Sequence, residues 1–278
     1  MASMKVFKAN VLTHLGNYKT NNLKISALGE YRGKKYPHIL SETDKSKNIL
    51  QPYNGQLNTS PYLSNIKLHT NFSHLNSSQA MCINFFYPLI LEKKLHLITS
   101  ILGIKGNVDY DSVAFEKEST VEKNNERKTN FDFYLKTDTG TEIFFEIKYT
   151  EDGFGKAKND QGHIDKYNRT YEAALVKSTW IENSFKDMAS FFKHYQIMRN
   201  LLAIDDKSCV VFIYPKDNDA VSKAADEAKA LIVNQAGKNH LINKTWEILV
   251  EQLLQTKGLD NGLTQYYDVD FREKYLKY

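Results

Sequence analysis

Cysteine is nearly absent from this chain: Cys82 and Cys209 are the only two in 278 residues. Each lies in an apolar run, so both are read as small buried hydrophobes of a reducing compartment, neither disulfide-bonded nor metal-bound. Long apolar stretches are missing as well. The run at 85–91 (FFYPLIL) contains Pro88 and is far shorter than the roughly 20 residues a bilayer-spanning helix needs. The opening MASMKVFKANVL has no apolar stretch of the kind a secretory signal carries. A cytoplasmic protein with no membrane contact is therefore expected. There is no Gly-x-Ser-x-Gly elbow, no zinc-like Cys/His spacing and no Gly-x4-Gly-Lys-Ser/Thr loop, which argues against serine hydrolases, zinc sites and P-loop nucleotide binding. The eight histidines are scattered.

What is present is ordinary globular material, 41% hydrophobic and 25% charged, enough for one good core and an appended subdomain. The net charge of +4 is uneven. Residues 1–48 hold nine Lys/Arg against three acids, a surplus of six that leaves the remainder near −2. Such an arm can lie along a phosphate backbone, or it can be a solvated, loosely ordered extension.

The chain then reads in order. Residues 41–76 are rich in Asn, Ser, Pro and Gly and read as loops. A helix starts at Asn76-Ser77-Ser78, with Pro88 kinking it or opening a second helix that runs to about Leu102 and stops at Gly103. Val113–Glu116 opens a strand, and residues 122–127 read as a charged hairpin loop. Residues 163–182 and 185–203 read as helical, the second more strongly. Lys193, Gln196, Arg199 and Asn200 form an acid-free polar stripe on it. Cys209–Tyr214, wholly apolar and ended by Pro215, reads as a buried strand. A helix over 220–234, a short strand near 240–242, a Thr245-capped helix and a final aromatic helix complete the reading.

The most informative stretch is 129–150, TNFDFYLKTDTGTEIFFEIKYT. Phe131, Phe133 and Leu135 alternate with Asp132, Tyr134 and Lys136. Phe145, Ile147 and Tyr149 alternate with Phe144, Glu146 and Lys148. A two-residue turn would put Asp132 and Glu146 on opposite faces of the sheet. A three-residue Asp138-Thr139-Gly140 loop, with Gly140 left-handed, pairs Asp132 with Glu146. Two carboxylates face to face need neutralising, and a divalent metal would do it, with Lys148 beside it on the same face. Beyond Lys148, the loop EDGFGKAKNDQ carries Lys156 and Lys158, which can reach phosphate groups, while Gly153 and Gly155 let it move. The plain alternative for the trio is a solvated hairpin with a Glu146–Lys148 ion pair.

Asp132, a 13-residue gap and Glu146-Ile147-Lys148 resemble the D…(D/E)xK core of the PD-(D/E)XK nuclease superfamily. The segments SSQAMCINFF (77–86) and YQIMRN (195–200) are similar to a family of uncharacterised putative restriction endonucleases within it. One departure is that Asn130-Phe131 stands where the superfamily expects a Pro before the Asp. The resemblance implies an α/β fold with a restriction-endonuclease-like αβββαβ core at 77–216, between a basic extension at 1–76 and a mainly helical one at 217–278. It implies a DNA endonuclease using Mg²⁺ or Mn²⁺, with Asp132, Glu146 and Lys148 catalytic. Asp132 and Glu146 would hold the metal together with the Ile147 carbonyl, all hard oxygen donors. Lys148 would orient or deprotonate the attacking water. A polar side chain of the first helix, Gln79, Asn84 or Glu92, would face the site, and Gln196 and Arg199 would stand near the phosphate. DNA is the implied partner, and a homodimer is what cutting both strands would call for. A module of the same fold that binds nucleic acid without turnover is the alternative.

Overall fold

The computed structural model describes residues 2–122 and 128–278; the charged loop expected over 122–127 lies outside them but for Glu122. The chain opens with α1 (Ala2–Asn21), β1 (Gly29–Tyr31) and β2 (Lys34–Tyr36), then α2 (Ser78–Leu91) and α3 (Leu95–Ile101). Three strands follow: β3 (Val108–Glu118), β4 (Asn130–Thr137) and β5 (Glu142–Ile147). Four short helices, α4 (Gln161–Lys166), α5 (Glu172–Lys177), α6 (Met188–Lys193) and α7 (Tyr195–Leu201), lead to β6 (Ser208–Tyr214). The chain ends through α8 (Asp219–Glu227), β7 (Leu241–Thr245), α9 (Trp246–Leu254), α10 (Asn261–Gln265) and α11 (Arg272–Tyr275).

β3 to β7 form one five-stranded sheet in sequence order. β3, β4 and β5 are antiparallel neighbours, whereas β5, β6 and β7 run parallel. Parallel neighbours need a crossover, which the helices α4–α7 and α8 provide. The protein is thus α/β, a mixed sheet flanked by helices. The β4–β5 connection is the three-residue loop. Gly140 sits at φ +87° and Lys136 pairs with Glu142, so residues whose numbers sum to an even value face each other.

Each face of the sheet is buried by its own apolar cluster. Phe133, Phe145 and Ile147 pack under α2, where Phe86 stacks on Phe133 with ring centroids 4.0 Å apart. Val210 and Phe212 pack on the other face, with Leu201 of α7 and Val221 of α8. Burying a side chain such as Phe133 is worth about 1.5–3 kcal/mol, so these clusters fix the strand register. Phe131 breaks the expected alternation: it joins the second cluster, against Phe144, although Phe133 belongs to the first.

The basic start of the chain is not a loose arm. α1 buries Phe7, Val11 and Leu15 in the same cluster as Tyr267, Phe271 and Tyr275 near the C-terminus. Lys19, 1% exposed, is turned inward, and its ammonium donates to the carbonyls of Ala27 and Ile39. Pro88 neither ends α2 nor starts a second helix, because α2 continues to Leu91 and α3 begins at Leu95. The proline leaves the Asn84 backbone carbonyl without its helical donor, and the Tyr266 hydroxyl supplies one at 2.8 Å. The single helix expected over 185–203 is two, α6 and α7, broken at His194. Among the described residues, no helix is long and apolar enough to cross a membrane.

Candidate active site

The register set by Gly140 runs to the Phe133–Phe145 pair, and the next residues along, Asp132 and Glu146, come close enough for the Glu146 charge to act on Asp132. On the other side of β4, Phe115 pairs with Phe133 and Lys117 with Phe131, so Glu116 of β3 falls opposite Asp132. Glu116, Asp132 and Glu146 therefore form a row of three carboxylates across three adjacent strands. They lie in a cleft of about 1440 Å³. Its rim carries Lys8, Lys67, Lys128, Lys156, Lys166 and Arg199.

Glu146 and Lys148, 3% and 7% exposed, form an ion pair at 2.7 Å. Gln196 of α7 bridges them. Its Nε2 donates to Glu146 Oε1 at 2.7 Å, and its Oε1 accepts from Lys148 Nζ at 3.0 Å. The second Glu146 oxygen accepts from Asn200 Nδ2 at 2.9 Å. Asp132 Oδ2 accepts the Ile147 backbone N–H at 2.6 Å.

Burial, followed by the charges of Glu146 and Glu116, pushes the Asp132 carboxyl well above the usual range, against the pull of Lys148 and the Ile147 N–H. Burial works to lower the Lys148 pKa, but Glu146, Glu151 and Asp132 outweigh it and raise it above the ordinary lysine value. In this arrangement Lys148 is an ammonium, able to donate hydrogen bonds and offset negative charge but not to accept a proton.

A hard divalent cation fits the donor set. Among the described residues, no group of three or more His, Cys, Asp or Glu forms a ready-made metal cage. Two carboxylates and the Ile147 carbonyl, one oxygen each, would leave half of an octahedral shell to water and other oxygen donors, in keeping with the habit of Mg²⁺. A cation there would offset the burial and the neighbouring carboxylate charges that together push Asp132 up.

The sequence-predicted residues divide. Asp132, Glu146, Ile147, Lys148, Lys156, Gln196 and Arg199 all line the cleft. Gln79 does not line it but supports it, donating to Glu116 Oε1 at 2.7 Å and to the Lys67 carbonyl at 3.2 Å, and accepting the His69 N–H at 2.8 Å. Asn84 is elsewhere. Its side-chain carbonyl accepts the Leu50 N–H, and its amide donates to the Asn48 carbonyl and the Tyr275 hydroxyl, which clamps the N- and C-terminal regions together. Arg199 is tied down by Glu122 at 3.1 Å and lies over the Tyr195 ring. Thr129 and Tyr171 also donate to the same Glu122 oxygen.

Several supports were missed from sequence. Glu116 takes a left-handed backbone, φ +53°, inside a strand, a conformation a non-glycine residue holds only when its surroundings fix it. Carrying the register arithmetic into β3 would have found it, but β3 ends at Glu118 and β4 starts at Asn130, too far apart for a turn to set the register by counting. Asn200 stood on the polar stripe without an assigned partner. Trp246 Nε1 donates to the Lys148 carbonyl at 3.2 Å, and Asn218 Nδ2 donates to the Tyr149 and Glu151 carbonyls, both at 3.0 Å. Both hold the backbone at the end of β5 and just beyond it from elements far along the chain.

Fold and site together define an α/β protein with a carboxylate row and a buried lysine at the floor of a basic-rimmed cleft. The chain belongs to the family described as Restriction Endonuclease associating with ARP, which matches it over residues 12–276. No curated protein and no solved structure matches it.

Proposed function

We propose that the protein is a metal-dependent endonuclease that hydrolyses DNA phosphodiester bonds on a restriction-endonuclease-like αβββαβ core. The observation that carries this reading is the meeting of Asp132, Glu146 and Lys148, from two strands, on one face at the floor of a cleft rimmed by lysines. Membership of a family described as restriction endonuclease supports it. The substrate is anionic and bulky, which suits a wide cleft with cations at the rim and acids at the floor. Its setting is the cytoplasm, and a second copy of the chain would serve two-strand cutting.

Phosphodiesters resist attack because water is a poor nucleophile and charge accumulates on the phosphoryl oxygens. Asp132, Glu146 and the Ile147 carbonyl would hold Mg²⁺ or Mn²⁺, which acidifies water and stabilises that charge. Lys148 presents its ammonium to the phosphate and positions the water. Gln196 and Asn200 fix the Glu146 carboxylate so that its remaining lone pairs keep one direction. Lys156 and Arg199 meet neighbouring phosphates along the rim.

Plasmid nicking in Mg²⁺, in Mn²⁺ and in EDTA tests this, with Glu146→Ala and Lys148→Ala in parallel. Cleavage that needs metal and is abolished by both substitutions is the expected result. A second reading, a binding module without turnover, draws on the fact that Lys148, Gln196 and Asn200 already engage both Glu146 oxygens. Salt-sensitive DNA binding with no cleavage under any metal would select it.

A further inference from the structure

We propose that His69 is a further catalytic residue, held by Glu116, which gives a proton to the leaving oxygen on the β3 side of the cleft. The proposal rests on the hydrolase reading above. It starts from the row of three carboxylates, whose two ends are different. At the β5 end, Glu146 is bonded to Lys148 and to the α7 amides. At the β3 end, Glu116 faces the cleft and meets His69, whose Nε2 lies 3.3 Å from Glu116 Oε1. Asp132 stands between them.

The Glu116–His69 pair is built from several directions. Gln79 donates to the same Glu116 oxygen, and its own carbonyl accepts the His69 backbone N–H. One amide thus fixes both the carboxylate and the chain segment that carries the imidazole. Asn130 of β4 approaches the other Glu116 oxygen at 3.4 Å. Glu116 holds this position at the cost of a left-handed backbone inside a strand. A carboxylate on one ring nitrogen orients an imidazole and favours its protonated form. Among the described residues, no hydrogen bond engages the other ring nitrogen, Nδ1, and the His69 side chain is 50% exposed to the cleft.

His69 shares its cleft with charges of both signs, Lys8 of α1, Lys128 beside β4 and Lys148 after β5 among the cations. Glu116 comes from β3, Glu146 from β5 and Glu151 from the loop after β5, while Lys67 lies two residues before it. The bond to Glu116 raises the imidazole pKa above its ordinary value, burial opposes this, and the three carboxylate charges add to the rise.

The chemistry needs this group. In phosphodiester hydrolysis the water oxygen bonds to phosphorus while the bond from phosphorus to the leaving oxygen breaks, and the two oxygens lie roughly in line on opposite sides. The bonding pair of the broken bond stays on the leaving oxygen, an alkoxide that is a poor leaving group unless it is protonated. Lys148 lies at the β5 end of the row, where the proposed function puts the attacking water. His69, at the β3 end, passes its Nδ1 proton to the leaving oxygen. The attacking water releases one proton to bulk solvent, and neutral His69 takes one back from solvent to complete the cycle.

The test is the pH profile of plasmid nicking by wild type, His69→Asn and Glu116→Gln, each first shown to melt as a folded protein. A required acid makes the wild-type rate fall as pH rises through the imidazole pKa. Replacing His69 should remove that alkaline limb and lower the plateau rate about 10²–10⁴-fold, the usual worth of a general acid. Glu116→Gln should keep the limb but move it to lower pH, because the imidazole loses its carboxylate. A merely structural His69 would change the rate without changing the profile. His69→Asn with a wild-type rate, or with the limb intact, overturns the proposal while the nuclease reading stands. A wild type that cleaves under no metal overturns both.

Discussion

Gln196 and Phe192 stand four residues apart on one helical run, yet their backbone groups are bonded to a loop instead of to each other. The Gln196 N–H donates to the Gly155 carbonyl at 3.0 Å, and the Phe192 carbonyl accepts the Ala157 N–H at 3.1 Å. The glycine-rich loop is in effect spliced into the helix, which is why α6 and α7 are separate. The splice also aims Gln196 at the site, since its Oε1 accepts both the Gly155 N–H at 3.1 Å and the Lys148 ammonium at 3.0 Å.

Ala157→Pro removes one strand of that splice, the N–H that Phe192 uses. A stability loss of about 1–3 kcal/mol is expected from the unsatisfied carbonyl, together with weaker nicking because the loop whose Gly155 anchors Gln196 is held less firmly. Amide exchange at 155–158 and at 192–196, read alongside nicking rate, checks this. Unchanged exchange in both segments would show that the loop does not hold the helix break.

This break is also where sequence reading fell short. Residues 185–203 carry a continuous helical pattern with no Gly or Pro inside it, because the interruption comes from a partner about 40 residues upstream. Helical periodicity reports which face is buried; it cannot report which loop will take the backbone groups. The central hairpin was legible for the opposite reason. Its register depends on a three-residue loop and a left-handed Gly140, both local, so the pairing up to Phe133–Phe145 could be found by counting. Glu116 and His69 escaped because the β3–β4 connection is long and the 67–71 segment has no periodicity. The α1 helix escaped because its buried residues, Phe7, Val11 and Leu15, are sparse among lysines and asparagines.

Asp132 makes a stability prediction of unusual sign. Its folded pKa is raised well above 3.8, so folding disfavours the carboxylate. Stability from this group is therefore present at pH below the unfolded value and is lost as pH rises toward the folded pKa. Asp132→Asn keeps an oxygen for the Ile147 N–H and removes the charge. In EDTA at pH 7 this variant should melt higher than wild type, with the difference vanishing near pH 3. If Asp132→Asn brings no gain in stability at pH 7, the charge conflict drawn for the carboxylate row is contradicted.

The Glu146–Lys148 pair is buried, so the two side chains are expected to be strongly coupled. Lys148→Met leaves Glu146 buried without its cation and should cost about 3–5 kcal/mol. Adding Glu146→Gln should recover much of that loss. Denaturant melts of the two single variants and the double variant measure the coupling. Additive losses would mean that solvent screens the pair.

Glu122 behaves in the ordinary direction. Burial works to raise its pKa, but Thr129, Tyr171 and Arg199 overcome it and bring the carboxyl down from 4.5 to about 2. Its contribution is present above the unfolded value and lost as pH falls from about 5 toward 2. Allowing for solvent screening, that shift corresponds to about 1–3 kcal/mol. Glu122→Gln should be less stable than wild type at pH 7, with the gap narrowing steadily as pH falls toward 2. Melting both proteins across that range decides it.

The hydroxyl of Tyr266 and the ring of Pro88 are coupled through one carbonyl. Tyr266→Phe strips the Asn84 carbonyl of the donor that replaces the missing helical N–H, at an expected cost of about 1–2 kcal/mol. Pro88→Ala restores an N–H four residues along, in position to donate to that carbonyl. Tyr266→Phe should therefore cost less in the Pro88→Ala background than in wild type. Equal costs in the two backgrounds, measured by denaturant unfolding, would mean that the hydroxyl acts elsewhere and that α2 tolerates its proline for another reason.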